Sequence, residues 1–323
     1  LIMDKKINKD IIITGDFFRF AKGRNAYNTA SIQDGNIKWF GDLFGPLIQD
    51  VTGVAPKIYT SRSIADELSL MQFMALNGHD ADFYGWLATY NRSSINPESL
   101  SRFKAVFDNA FIIGFELSPF LRTIFNALEV PWLNFSIHPV RFAPDLLMRI
   151  DCSDDLNQHV EKLSIPISQF ARYANYIRAG LRRSSKLRLV PGAVLFCGQV
   201  LEDASLINER RMVRSSDYFQ QLKSIAEAYP HLYYKRHPHA VGDNDIIEYI
   251  DSLPNATLIE EDIYELLSLY EIDTVVAISS GTLFEANIFG KNIIRLLDNR
   301  HNISKLQCIY TLGKDVVDTP FWS

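Results

Sequence analysis

The sequence predicts an α/β protein of two Rossmann-like domains facing each other across a cleft. Three observations carry this. Short β-rich runs alternate with helical patterns, which is the signature of parallel sheets covered by helices. The chain has 323 residues, too many for one small core and suited to two domains of roughly 150 residues each. Polar residues collect where the apolar runs end, and open parallel sheets bind ligands outside the carboxyl ends of their strands.

In order, "DIIITG" (Asp10–Gly15) reads as a strand ending in a glycine turn, and "KIYTS" (Lys57–Ser61) as a second strand. "SIADELSLMQFMALNG" has apolar residues at helical spacing and a stop at Gly78. "AFIIGFE" (Ala110–Glu116) is a strand. The helix after it opens with Ser118 at the cap and Pro119 at the first helical position. "PWLNFSIHP" (Pro131–Pro139) is the next strand. A polar, helical stretch from Asp151 to Ser185 marks the junction. The expected division is an amino-terminal Rossmann-like domain over 1–160, a helical linker over 161–190 and a carboxyl-terminal Rossmann-like domain over 191–323, with room for the last residues to pack back on the first domain. Beyond the junction, the strands "AVLFC", "HLYYKRHP", "ATLIE", "DTVVAIS" and "NIIRLL" alternate with four helical patterns.

Composition narrows the function. A net charge of -5 gives no reason to expect nucleic-acid binding. Cys152, Cys197 and Cys308 are far apart, so they suggest neither a zinc site nor a disulfide framework. No run reaches the roughly 18–20 apolar residues that cross a bilayer. The start, "LIMDKKINKD", has no long apolar segment of the kind a signal peptide carries. The expectation is a cytoplasmic protein, compatible with peripheral contact at the inner face of the membrane.

Four strand ends in the second half are polar: Gln199 with Glu202 and Asp203; Lys235, Arg236, His237 and His239; "IEED" (Ile259–Asp262); and Ser279, Ser280, Gly281 and Thr282. The last set opens a helix, whose free N–H groups and dipole favour an anion, although a plain N-cap explains the serines equally well. Pro238 pushes His237 into an extended conformation. Two cations and two histidines at one strand end suit a phosphate, and a surface basic turn is the plainer alternative. Likewise, the acidic pair is either functional or a solvated loop. Together, these ends point to a phosphate-bearing ligand. No Gly-x-Gly-x-x-Gly follows a strand, and "GTLFEANIFGK" lacks the Gly-Lys-Ser/Thr of a P-loop, which argues against nicotinamide chemistry and P-loop hydrolysis. In the first half, Glu116, His138 with Arg141, and Asp16 stand at strand ends. "FFRFAKGRN" adds Arg19, Lys22 and Arg24.

"GQVLEDAS", then "YYKRHPH", then "ISSGTLFEANIFGK" resemble the donor-side pattern of the retaining β-Kdo transferases of bacterial capsule and O-antigen synthesis. The resemblance covers about Val194 to Leu297, with a weaker likeness around "GFELSP". The His-Pro and Ser-Ser elements are shared with bacterial sialyltransferases and polyol-phosphate transferases; the Gln-x-x-x-Asp loop narrows the choice. The resemblance implies a GT-B fold, CMP-Kdo as a substrate with no cofactor or metal, and a glycan or glycolipid acceptor. It implies Asp203 as nucleophile, Glu116 as general acid/base and His237 at the donor phosphate or sugar carboxylate. Gln199, Lys235, Arg236, Ser279, Ser280, Gly281 and Thr282 would form the donor site, and Arg19, Arg24 and His138 the acceptor side. Retention needs two inversions, so a carboxylate attacks first and the acceptor hydroxyl second. Other readings remain: an inverting sialyltransferase or CDP-polyol phosphotransferase on the same fold, or a non-catalytic glycan-binding module. The chain also suits one module of a larger transferase.

Overall fold

A computed structural model of the chain describes residues 9–27, 29–153, 156–297 and 309–312. Cys308 and most of the carboxyl-terminal segment expected to pack back lie outside them.

Thirteen strands form among the described residues: β1 (Asp10–Gly15), β2 (Lys57–Ile58), β3 (Ala110–Phe115), β4 (Trp132–Ile137), β5 (Leu147–Cys152), β6 (Ala193–Cys197), β7 (Ile207–Asn208), β8 (Arg211–Met212), β9 (Leu232–Lys235), β10 (Ala256–Ile259), β11 (Ile272–Ala277), β12 (Asn292–Arg295) and β13 (Ile309–Leu312). The α-helices are α1 (Asp34–Thr52), α2 (Leu70–Leu76), α3 (Phe83–Thr89), α4 (Pro97–Phe107), α5 (Pro119–Ala127), α6 (Asn157–Glu161), α7 (Ile167–Ser184), α8 (Phe219–Ala228), α9 (Asn244–Asp251), α10 (Ile263–Ser268) and α11 (Thr282–Ile288). They fall into two compact units. Of the described residues, the first unit holds those up to His138, Asp145–Ile165 and β13. The second holds Pro139–Pro144 and those from Pro166 to 297.

In the first unit the strand order is β13-β5-β4-β3-β1-β2. β2, β1, β3 and β4 are parallel; β5 and β13 are antiparallel additions at one edge. The order reverses between β1 and β3, where a crevice opens outside the strand ends. Gly15 pairs with Phe115, so the next residues, Asp16 and Glu116, leave the sheet side by side. One face is covered by α1, whose Phe40, Phe44 and Ile48 are buried against Phe115 and Phe135. A second aromatic layer, Phe18, Phe73, Phe103 and Phe120, packs with ring centroids about 5–6 Å apart. The cap reading at α5 holds: Ser118 accepts from Leu121 N–H and Pro119 follows it.

The second unit is a wholly parallel five-stranded sheet in the order β10-β9-β6-β11-β12. Strands buried on both faces read as continuous apolar runs, and all five residues of "AVLFC" are buried. The helix read as a linker, α7, buries Phe170 and Ala174, and Ala174 belongs to this unit's core. The order reverses between β6 and β11. Cys197 pairs with Ala277 on one side and with Lys235 on the other, which sets Gln199, Ser279 and His237 level at the reversal point.

Candidate functional site

The second unit's reversal point is closed by side chains bonded to one another. Gln199, 9% exposed, accepts the Ser279 N–H at 2.7 Å through Oε1. Its Nε2 lies 3.2 Å from both the Ser205 and Ser279 hydroxyls, which are 3.0 Å apart. This lock fixes the loop that carries the acidic pair. Asp203 caps a short 3-10 turn, Ala204–Leu206, and its Oδ1 accepts the Ser205 N–H at 2.8 Å. Asp203 is half-buried, whereas its neighbour Glu202 is exposed.

Gly198 has a packing reason. A Cβ there would come within 2.8 Å of the Tyr234 hydroxyl and 3.3 Å of the His237 amide nitrogen. The close approach brings the β6 loop against the β9 loop. His237 Nδ1 accepts the His239 N–H at 3.1 Å, so the neutral ring carries its proton on Nε2 as a donor. Burial depresses the His237 pKa, the nearby His239 adds to this, and the charge of Asp203 opposes it. Asp203 and His237 therefore share one electrostatic environment.

The remaining donor-side residues divide. Arg236, read as a phosphate cation, is instead forked onto Asp243, with Nη2 at 2.7 Å from Oδ1, and also donates to the Ala240 carbonyl. That pair depresses Asp243 and raises Arg236. Lys235 donates to the Glu260 carbonyl at 3.0 Å. Arg236 thus gives Nε and Nη2 to protein oxygens and keeps Nη1 without a hydrogen bond among the described residues, while the Lys235 ammonium makes one such bond. Ser280 Oγ takes the Thr282 N–H at 3.2 Å, and the Leu283 and Phe284 N–H groups close onto the Ser280 and Gly281 carbonyls. These local bonds reduce the anion-binding capacity expected of the helix start. Gly281 is also a close-contact glycine, since a Cβ would meet Pro139 at 2.8 Å.

In the second unit, Glu285 escaped sequence reasoning. It is 4% exposed and accepts the Arg141 N–H at 2.8 Å and the Tyr264 hydroxyl at 2.9 Å. Burial raises its pKa to about 7. Its signal was a lone charge between buried Leu283 and Ala286 in α11. Through it, Arg141 contributes its backbone to the second unit.

At the first unit's reversal point stand Asp16 and Glu116. Asp16 is 2% exposed, accepts Trp86 Nε1–H at 2.8 Å, and has its pKa pushed up to about 6 by burial. Glu116 is half-buried with φ at 54°, in the left-handed region that costs a non-glycine residue roughly 1–2 kcal/mol. Its N–H donates to the Phe135 carbonyl at 2.7 Å, and its Oε2 accepts Gln33 Nε2–H at 3.1 Å. Arg19 lies 5.3 Å from the centre of the Trp86 ring. Lys22 and Arg24 are exposed on the loop after β1. His138, read as an acceptor contact, is fully buried, and its N–H donates to the Leu147 carbonyl. Gln33 and Trp86 were not foreseen, because Gln33 sits at the start of α1 and Trp86 within α3, and neither helix was read from the sequence.

No known family profile matches the chain, and no curated protein does. Among solved structures, 28 chains are similar. The β-Kdo 2,7-transferase KpsC of Thermosulfurimonas dismutans matches at 14% identity over 62% of this chain and 69% of that one, with a TM-score of 0.39. The β-Kdo 2,4-transferase KpsC of the same organism matches at 15% identity over 76% and 83%, with a TM-score of 0.38. UDP-GlcNAc 2-epimerase from Neisseria meningitidis matches at 12% identity over 90% and 83%, with a TM-score of 0.33. At such scores the likeness carries no functional weight.

Proposed function

We propose that the chain is a retaining GT-B glycosyltransferase that moves Kdo, or a related 2-keto sugar acid, from its CMP donor to a growing surface glycan. The observation that carries this reading is that the Asp203 loop and His237 follow adjacent strands, β6 and β9, at the reversal point of the second sheet, with the Asp203 loop fixed by the Gln199–Ser279–Ser205 lock.

Asp203 attacks the anomeric carbon and CMP departs with the bonding electrons. Ser205 N–H fixes Oδ1, and Oδ2 carries no hydrogen bond among the described residues, so it is the attacking atom. His237 Nε2–H donates to the leaving phosphate. The acceptor hydroxyl then displaces Asp203 from the sugar as Glu116 takes its proton. The strained backbone at Glu116 supports that role, since strain of this kind clusters at functional sites.

Peripheral contact with an anionic membrane surface belongs to the same reading. Between Glu161 and Glu202 the chain has no acidic residue, and Arg172, Arg183, Lys186 and Arg188 are exposed there. No helix of the described residues is long and apolar enough to cross a membrane.

The test is intact-protein mass spectrometry with CMP-Kdo and no acceptor. One added Kdo is expected, mapped to the peptide containing Asp203. A product of inverted configuration, or an adduct on Glu202, would overturn the proposal.

A further inference from the structure

The loop between β1 and α1 presents an unusual ring. Tyr27 is 81% exposed, yet the backbone beneath it is pinned. Asn25 forms a β-bridge with Asp82, and Ala26 N–H donates to the Ala81 carbonyl at 2.8 Å. Tyr27 N–H donates to Asn25 Oδ1 at 3.1 Å, and the Thr29 hydroxyl donates to the Asn25 carbonyl at 2.9 Å. An exposed apolar ring on a backbone held this way loses little conformational freedom on meeting a ligand.

Tyr27 also divides two cavities. The first, of about 210 Å³, is lined by Phe20, Thr29, Ser61 and Arg62 beside the ring. The second, of about 430 Å³, is lined by Met71, Gln72, Asp80 and Asp82. Phe20 and Ser61 follow β1 and β2, so the first cavity lies on the carboxyl side of the sheet, where such sheets bind ligands.

The cavities differ in charge. Arg62 makes no ion pair among the described residues, which leaves a free guanidinium fork in the first. In the second, Asp80 and one oxygen of Asp82 carry no hydrogen bond among the described residues, because Asp82 gives only Oδ1 to the Gly85 N–H. Gln72 has its Oε1 taken by Arg102, leaving its amide N–H groups as donors. An arginine fork suits a carboxylate. Paired carboxylate oxygens suit hydroxyl donors and repel an acid. A pyranose has an apolar C–H face for an aromatic ring and a rim of hydroxyls.

We infer that this surface is a two-subsite carbohydrate-binding site divided by Tyr27, with an acidic sugar on the Arg62 side and a neutral sugar on the Asp80–Asp82 side. A hydrogen-bond path links it to Glu116. Ser61 Oγ accepts the Ser31 N–H at 2.9 Å, Ser31 Oγ accepts the Gln33 N–H at 3.1 Å, and Gln33 holds the Glu116 carboxylate. Assigning the site to the acceptor rests on the transferase reading above; the binding of the sugar does not.

The test measures calorimetric binding of 3′-sialyllactose, a 2-keto sugar acid on a neutral disaccharide, to the full chain, with lactose as comparator. Wild type should bind sialyllactose at least about fivefold more tightly than lactose, and Tyr27→Ala should weaken sialyllactose at least about tenfold. Arg62→Gln should lower sialyllactose to the lactose level and leave lactose unchanged. CMP binding, followed by thermal shift, should be the same in all three proteins, so loss of CMP binding from wild type would count against the donor assignment alone. No sialyllactose binding by wild type, equal binding of the two sugars, or indifference to Tyr27→Ala would overturn the proposal.

Discussion

The two sheets set polar residues at the same topological place and hold them by different means. In the second unit the groups at the reversal point bond to each other: Gln199 to Ser279 and Ser205, and Ser205 to Asp203. In the first, each carboxylate is held by a residue from a distant segment: Asp16 by Trp86, 70 residues on, and Glu116 by Gln33, 83 residues back. The separations are alike, since Gln199 and Ser279 are 80 residues apart, but partners that all stand at strand ends fall where the apolar runs stop and keep a readable motif. A site braced by separate helices leaves single letters scattered along the chain.

The largest expected effect tests the second unit. Asp203→Asn keeps the shape and removes the proposed nucleophile, so transfer should fall by roughly three to five orders of magnitude while CMP still binds. Glu202→Gln should be far milder. Steady-state kinetics with a CMP-release assay reads both. Glu116→Gln in the first unit should cost about 10²–10⁴-fold, the range of a general base. If Glu116→Gln left the rate unchanged, the first unit would hold no chemical group at that point.

The same contrast explains what was legible. In the second unit every strand and helix pattern read from the sequence has its counterpart, because the strands are short apolar runs bounded by turn residues, with β6 buried throughout. The first unit hides more. α1 was missed, with Pro46 inside it and exposed Trp39 and Leu43 blurring its apolar stripe. "KIYTS" yields only two strand residues, and "SIADELSLMQFMALNG" breaks into a 3-10 turn and α2. β5 was missed because most of it lies between the strand read as "PWLNFSIHP" and the polar stretch that begins at Asp151, and it pairs antiparallel with β4. Charge was the least readable feature. Nothing in "YYKRHPH" announces that Asp243 holds Arg236.

Buried carboxyls offer a third contrast, at about 3 kcal/mol each from the shifts themselves. Asp16 is raised to about 6 and Glu285 to about 7. A raised carboxyl contributes stability that is present below its unfolded pKa and lost as pH rises through the folded value. Asp16→Asn should therefore flatten the melting curve between about pH 4 and 6, and Glu285→Gln between about pH 4.5 and 7. Calorimetric melts from pH 4 to 8 check this; a variant that kept the wild-type slope across its window would show that its carboxyl does not titrate there. A smaller loss is expected for Gln199→Ala, about 1–3 kcal/mol by urea unfolding, because the buried Ser279 N–H loses its acceptor.

The smallest effect separates strain from function. Glu116 and Glu209 both hold positive φ, 54° and 56°. Glu209 sits in the two-residue turn between β7 and β8, where a left-handed residue is ordinary turn geometry. Glu116 sits at a strand end beside Asp16. At either position glycine avoids the Cβ clash that alanine retains, so Gly should be more stable than Ala by about 1 kcal/mol, the reverse of the usual order. The Gly-minus-Ala difference cancels the lost carboxylate, since both variants lack it. It also cancels the Gln33 bond at Glu116. Activity should then split the pair: Glu116→Gly and Glu116→Ala lose transfer alike, and Glu209→Gly and Glu209→Ala keep it. Should Glu116→Ala prove the more stable, the left-handed backbone is not what aims that carboxylate. Should Glu209→Gly lose transfer as well, positive φ marks activity in both units and the contrast between them collapses.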